Sequence, residues 1–124
     1  MARILIAEDE EALCAMCARA LKGVGHDVMT ACDGSDALDL LKRERGRFDL
    51  LLTDIRMPLM DGIALSLAVA RDYPEMTILL MTGYADQRER AHGLDAIVHD
   101  VITKPFTIAV LRAAVDEALT IKAR

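Results

Sequence analysis

Three short apolar runs, at residues 4–7, 50–52 and 78–81, contain no alternating polar residue. A strand with one wet face alternates apolar with polar, whereas a strand covered on both faces reads as a continuous run, so these segments predict strands of a parallel sheet. A weaker run at residues 28–31 lies between the first two, and Val101, Ile102 and Thr103 close the series. Helical spacing fills the intervals. Residues 11–24 place Leu13, Met16, Cys17, Ala20, Leu21 and Val24 on one stripe, ended by Gly23 and Gly25. Asp33, Gly34 and Ser35 supply a turn and a cap for a second helix at residues 36–45. A third follows Asp61 and Gly62 and stops ahead of Pro74, because the residue before a proline resists helical geometry. Residues 86–92 form a short polar fourth helix, and residues 108–121 a fifth with Leu111, Ala114, Val115, Ala118 and Leu119 on its stripe. Five strand–helix units with short connections predict an α/β, doubly wound sheet of five parallel strands and five helices, since parallel neighbours need a crossover and each crossover here is a helix.

The 124 residues are 53% hydrophobic. A single domain of this size buries roughly two-thirds of the surface its unfolded chain exposes, so neither disulfides nor a structural metal is needed. Of the three cysteines, Cys14, Cys17 and Cys32, the first two form a C-x-x-C spacing, but they fall inside a helical pattern with no second ligand pair for zinc and read as reduced helix cysteines, with a redox or metal role as the alternative. His26, His92 and His99 read as surface or loop residues. The seven methionines read mostly as core filling, with Met57 and Met60 offering an adaptable loop surface. A net charge of -5 repels a phosphate backbone and argues against nucleic-acid binding. No apolar stretch approaches the roughly 20 residues of a membrane span, and no signal-peptide layout precedes the first strand, so a cytoplasmic protein is expected.

Open sheets of this type bind ligands at the carboxyl ends of their strands. Here the first strand ends in Glu8 and Asp9, the third in Asp54, the fourth in Thr82 and Gly83, and the fifth in Lys104 and Pro105. Unit charges about 4 Å apart repel by roughly 4 kcal/mol near a protein surface, so three close carboxylates call for a cation. A hard divalent ion such as Mg²⁺ suits them. Lys104 adds a positive charge and Thr82 a hydroxyl, which together with a metal make a receptacle for a phosphoryl group and leave Asp54 as the natural nucleophile. Singly, these residues have plainer readings: Asp54 as an exposed loop carboxylate, Lys104-Pro105 as a turn.

Four segments carry a resemblance: Ala7-Glu8-Asp9-Glu10; Leu52 through Gly62, with Thr53-Asp54-Ile55-Arg56-Met57-Pro58 at its start; Met81-Thr82-Gly83; and Thr103-Lys104-Pro105-Phe106. In that order the chain resembles, over its whole length, the receiver domain of two-component response regulators, the CheY-like family. The resemblance implies the flavodoxin-like strand order 2-1-3-4-5. It implies that Asp54 accepts phosphate from a histidine kinase or histidine phosphotransferase. Glu8, Asp9, Asp54 and the backbone carbonyl of Arg56 would hold Mg²⁺, Thr82 would follow the phosphoryl group, Lys104 would neutralise it, and the bond to Pro105 would be cis. Such a domain catalyses its own phosphorylation and hydrolysis, which makes it a switch and not a turnover enzyme. The chain departs from the family at Val101, where an aromatic is usual. Tyr84, two residues after Thr82, is expected to gate or read the phosphoryl group, and Arg56 to flank the attacking water with it.

Because residue 124 falls just after the fifth helix, the expectation is a single receiver domain over residues 1–124 with no effector domain, whose output is a binding event. With Asp54-Ile55-Arg56-Met57-Pro58, Met81-Thr82-Gly83-Tyr84-Ala85 and Ile102-Thr103-Lys104-Pro105-Phe106, it looks, among stand-alone receivers, most like the CpdR group of alphaproteobacterial cell-cycle regulators. That group implies an adaptor at polar foci that primes the ClpXP protease through ClpX while unphosphorylated. The alternative is a receiver that relays phosphate or docks elsewhere. An aspartyl-phosphate phosphatase is disfavoured because Arg56 stands where a second acid is wanted, and a dinucleotide-binding module because no Gly-x-Gly-x-x-Gly follows the first strand. Ile108, Val110 and Ile121 fall off or at the margins of the last helix's buried stripe and are candidates for docking.

Overall fold

The computed structural model describes residues 1–83 and 93–123. The fourth helix expected at residues 86–92, together with Tyr84 and His92, lies outside the described residues. Strands β1 (Arg3–Ala7), β2 (Asp27–Ala31), β3 (Leu50–Asp54), β4 (Thr77–Thr82) and β5 (Asp100–Thr103) form one parallel sheet in the order β2-β1-β3-β4-β5. Four described helices accompany them: α1 (Glu11–Lys22), α2 (Gly34–Arg43), α3 (Gly62–Asp72) and α4 (Ile108–Ala123).

The absence of alternation in the apolar runs has a direct cause. Leu5, Leu51, Ile78 and Leu80 face one core with Leu41, Leu65 and Val69. Ile4, Ile6, Leu52 and Leu79 face a second core with Leu21, Leu111 and Val115. Successive residues thus bury into opposite layers, each fully buried aliphatic side chain contributing roughly 1.5–3 kcal/mol. Side-chain caps set the helix starts: Asp33 accepts from the Asp36 N–H at 2.8 Å, and Asp61 accepts from the Ala64 N–H at 2.8 Å.

Several local expectations are corrected. α1 stops at Lys22, and Val24, expected on its buried stripe, is 44% exposed. Gly25, at φ +95, turns the chain away, with its N–H on Lys22 O at 2.9 Å and the His26 N–H on Leu21 O at 3.2 Å. α2 occupies Gly34–Arg43 and not residues 36–45, because Asp33 is its cap and Arg45 sits at φ +56. Met57 is buried in the core beside α2 and α3, so it does not offer the loop surface expected of it, whereas Met60 is half-buried against that core and keeps part of its surface. The cysteines are free, and burial pushes the Cys17 thiol up to about 12, an unreactive state. Ile108, Val110 and Ile121 are exposed on α4. No helix among the described residues is long and apolar enough to cross a membrane.

Candidate functional site

Strand register brings the scattered acids together. Ala7 pairs with Thr53, Asp54 with Met81, and Thr82 with Thr103, so the residues after β1 and at the ends of β3, β4 and β5 share one edge. Glu8 is 2% exposed and Asp54 6%, while Asp9 is open to solvent. One carboxylate oxygen from each of these three lies within 4.8 Å of the others. Lys104 reaches in from beyond β5: its Nζ donates to Asp54 Oδ2 at 2.9 Å and to Glu8 Oε1 at 3.1 Å. Its backbone N–H on Thr82 O, at 2.7 Å, holds it at that height. The other Glu8 oxygen accepts the Glu10 N–H at 3.0 Å, a local bond from a side chain to the backbone two residues on.

The charges do not balance. Burial pushes the Glu8 carboxyl up to about 7, and the nearby Asp54 charge adds to the rise against the opposing Glu10 N–H and Lys104. Burial works against the Lys104 charge, yet its hydrogen bonds to Asp54 and Glu8 hold its pKa above the ordinary lysine value. One ammonium therefore serves two buried acids and a third at the surface. A proton on Glu8 relieves the shortage, and so would a hard divalent cation held by Glu8, Asp9 and Asp54, whose oxygen donors fit such an ion. The cluster floors a cleft of about 920 Å³ whose walls include Arg56, Gly83, Pro105 and Phe106.

Most of the expected site residues converge. Glu8, Asp9, Asp54 and Lys104 meet, Arg56 is exposed on the cleft wall, and the Lys104–Pro105 peptide is cis. Thr82 is buried at the end of β4, and Val101 is half-buried against the core beside α2 and α3. Leu13 and Met16, expected only as core positions of α1, also line the cleft, as their place in the first turns after Asp9 allows. The Glu10 backbone contact was not anticipated; its signal is the Glu-Asp-Glu run itself.

Residues 4–116 match the family model of the response regulator receiver domain. The chain is 31% identical over 117 residues to the "Probable transcriptional regulator ycf27" of Porphyridium aerugineum, covering 94% of this chain and 48% of that protein. It thus spans about half the length of that curated relative. Among solved structures, the chemotaxis response regulator CheY4 of Vibrio cholerae is 29% identical with a TM-score of 0.84, over 96% of this chain and 99% of that one. A CheY-like receiver domain protein from Methanospirillum hungatei JF-1 is 29% identical with a TM-score of 0.89, over 99% and 97%. NtrX of Brucella abortus is 27% identical with a TM-score of 0.89, over 98% of this chain and 27% of that one.

Proposed function

The chain belongs to the response regulator receiver domain family of two-component signalling, and from that premise we propose that it is a phosphorylation switch whose acceptor is Asp54. The observation that carries this reading is the Lys104 bridge, 2.9 Å to Asp54 and 3.1 Å to Glu8, with Asp9 alongside. An Asp54 oxygen attacks the phosphorus of a phosphohistidine on a kinase or phosphotransferase, the P–N bond breaks, and the imidazole leaves with a proton from solvent. The product is an acyl phosphate. Lys104 moves its hydrogen bonding toward the new phosphoryl oxygens, and the Thr82 hydroxyl donates to another. Hydrolysis reverses the state: water attacks phosphorus, inorganic phosphate departs, and the Asp54 carboxylate is restored. Mg²⁺ held by Glu8, Asp9, Asp54 and the Arg56 carbonyl would supply charge neutralisation. The chain therefore acts on itself and turns over no separate substrate.

Output follows from a shift in populations. Moving a two-state equilibrium from 1:99 to 99:1 takes about 5.5 kcal/mol, a sum that several charge-assisted hydrogen bonds to a phosphoryl group can supply. Within the family we favour a CpdR-type adaptor in the cytoplasm that engages ClpX when unphosphorylated. Two features support it: the segments Asp54-Ile55-Arg56-Met57-Pro58, Met81-Thr82-Gly83-Tyr84-Ala85 and Ile102-Thr103-Lys104-Pro105-Phe106, and exposed apolar residues such as Val110 and Ile121 on α4.

Incubation with acetyl phosphate and Mg²⁺ tests the acceptor: the parent gains one phosphoryl group by mass and Asp54→Asn gains none. Equal uptake by both would overturn the assignment. Purified ClpX should retain Asp54→Ala and release the phosphorylated parent; retention of neither points to a phosphate relay.

A further inference from the structure

The loop from β3 to α3, residues 55–61, carries Arg56 on the cleft wall; it leaves the sheet with the Ile55 N–H on Met81 O at 3.1 Å and is pinned at three further points. The Gly62 N–H donates to Ile55 O at 2.8 Å, and a Cβ at Gly62 would collide with the carbonyl oxygen of Asp54 itself. The Met60 N–H donates to Pro58 O at 2.7 Å across Leu59. Leu59 stands at φ +66, which makes a γ-turn of the rarer, strained hand, with its side chain 87% exposed. The third point comes from outside the loop. The N–H of Gly34, the first residue of α2, donates to Met60 O at 3.2 Å.

Gly34 is not needed for the turn it occupies. The glycines at positive φ are Gly25 and Gly46, and Asp33 caps α2 through its own side chain. Its lack of a side chain matters for another reason: a Cβ there would run into Met60 O and stand 2.8 Å from the Met60 Cβ. The loop and the start of α2 are in backbone contact at a point where only glycine fits.

We propose that Gly34 is a positioning residue for the phosphoacceptor loop. By letting α2 press directly on Met60, it fixes the far end of a loop whose near end is Asp54. The γ-turn at Leu59 and the Gly62 closure carry that constraint back to the backbone at Arg56. The inference rests on the reading of Asp54 as phosphoacceptor and adds a residue twenty positions before it in sequence, at the start of α2.

The test uses Gly34→Ala with Gly46→Ala as its control. Gly46 sits at φ +67 between α2 and β3, and a Cβ there would collide with the Tyr73 ring, so this variant strains the opposite end of the fold. Gly34→Ala should weaken Mg²⁺ binding, followed by calorimetry on the folded protein, by about tenfold and change the lifetime of the acetyl-phosphate-derived phosphoryl group at least threefold. Gly46→Ala should lower the thermal midpoint and leave Mg²⁺ binding at the parent value. Parent-like Mg²⁺ binding by Gly34→Ala, or equal weakening by Gly46→Ala, overturns the proposal. Should Gly34→Ala fail to fold, the parent answers by NMR: on Mg²⁺ addition the Gly34 amide should shift and the Gly46 amide should stay, and an unmoved Gly34 amide overturns it. Absence of phosphoryl uptake by the parent would sink the Asp54 reading alone, because the Mg²⁺ measurements read the loop independently.

Discussion

At the amino end of the sheet Arg3 stands among acids much as Lys104 does at the carboxyl end. Its Nη2 lies 2.8 Å from Glu44 Oε1, its Nε 3.3 Å from Asp27 Oδ2, and its Nη1 donates to Arg47 O at 2.7 Å. The guanidinium sits 4.8 Å from the centroid of the Phe48 ring. What separates the two clusters is water. Asp27 is 69% exposed on its side chain and keeps most of its hydration, so the Arg3 cluster is a clasp joining β1, β2 and the end of α2. At the other end Glu8 and Asp54 have given up their hydration and share one ammonium. A cluster of charges acquires chemistry when burial leaves it under-compensated, and number of ion pairs alone does not distinguish the two.

Removing each cation is the strongest way to break this contrast. Lys104→Met leaves two buried carboxylates facing each other, and urea unfolding at pH 8 without Mg²⁺ should show a loss of about 3 kcal/mol, the usual penalty for orphaning a buried charge. Arg3→Met should lose clearly less, and its deficit should shrink as salt rises. Equal losses would mean that burial does not separate the two ends.

Acidity sharpens the same contrast. The Glu8 pKa in the fold is about 7 against an ordinary 4.5, so the folded chain keeps a proton that the unfolded chain releases between those values. Metal-free protein should therefore lose stability as pH rises from 4.5 to 7 on account of this group. Mg²⁺ needs the carboxylate, so its binding should weaken as pH falls, by about tenfold between pH 8 and pH 6. Calorimetric titrations at the two pH values check this, and a flat profile would remove Glu8 from the ligand set. Substitution of Arg3 should leave the profile unchanged.

The two ends also differ in how readily they are read from sequence. In a parallel sheet every apolar run stops at an edge, so acids that directly follow such runs must share it, and Glu8, Asp9 and Asp54 declare themselves. Lys104 and Thr82 follow by the same rule. The Arg3 clasp has no such marker: its partners stand 24 and 41 positions away, and only the packed register of β1 against β2 and α2 brings them together. Val24 fits the helical spacing arithmetically, yet Gly25 at φ +95 unwinds the chain and exposes it. Leu59 is harder still, because nothing in Pro58-Leu59-Met60 announces a left-handed turn. The contacts of Gly34 with Met60 and of Gly62 with Ile55 flank that turn, and neither is visible in the local sequence. Local periodicity reveals elements and edges, whereas contacts between an element and a distant loop become visible only once the layers are assembled.

The smallest effect lies within the clasp itself. Asp27→Asn removes one charge from the 3.3 Å pair with Arg3 but keeps the side chain's shape and leaves Glu44 and Phe48 in place. Because Asp27 is mostly in water, the aspartate regains in the unfolded chain little that it lacks in the fold, and the change in stability should stay within about 0.5 kcal/mol. Urea midpoints for parent and variant should converge further at 1 M salt, where the Debye length falls to about 3 Å. A loss that persisted at high salt would show that Asp27 is held as a buried partner, and the amino end would then resemble the carboxyl end in kind as well as in layout.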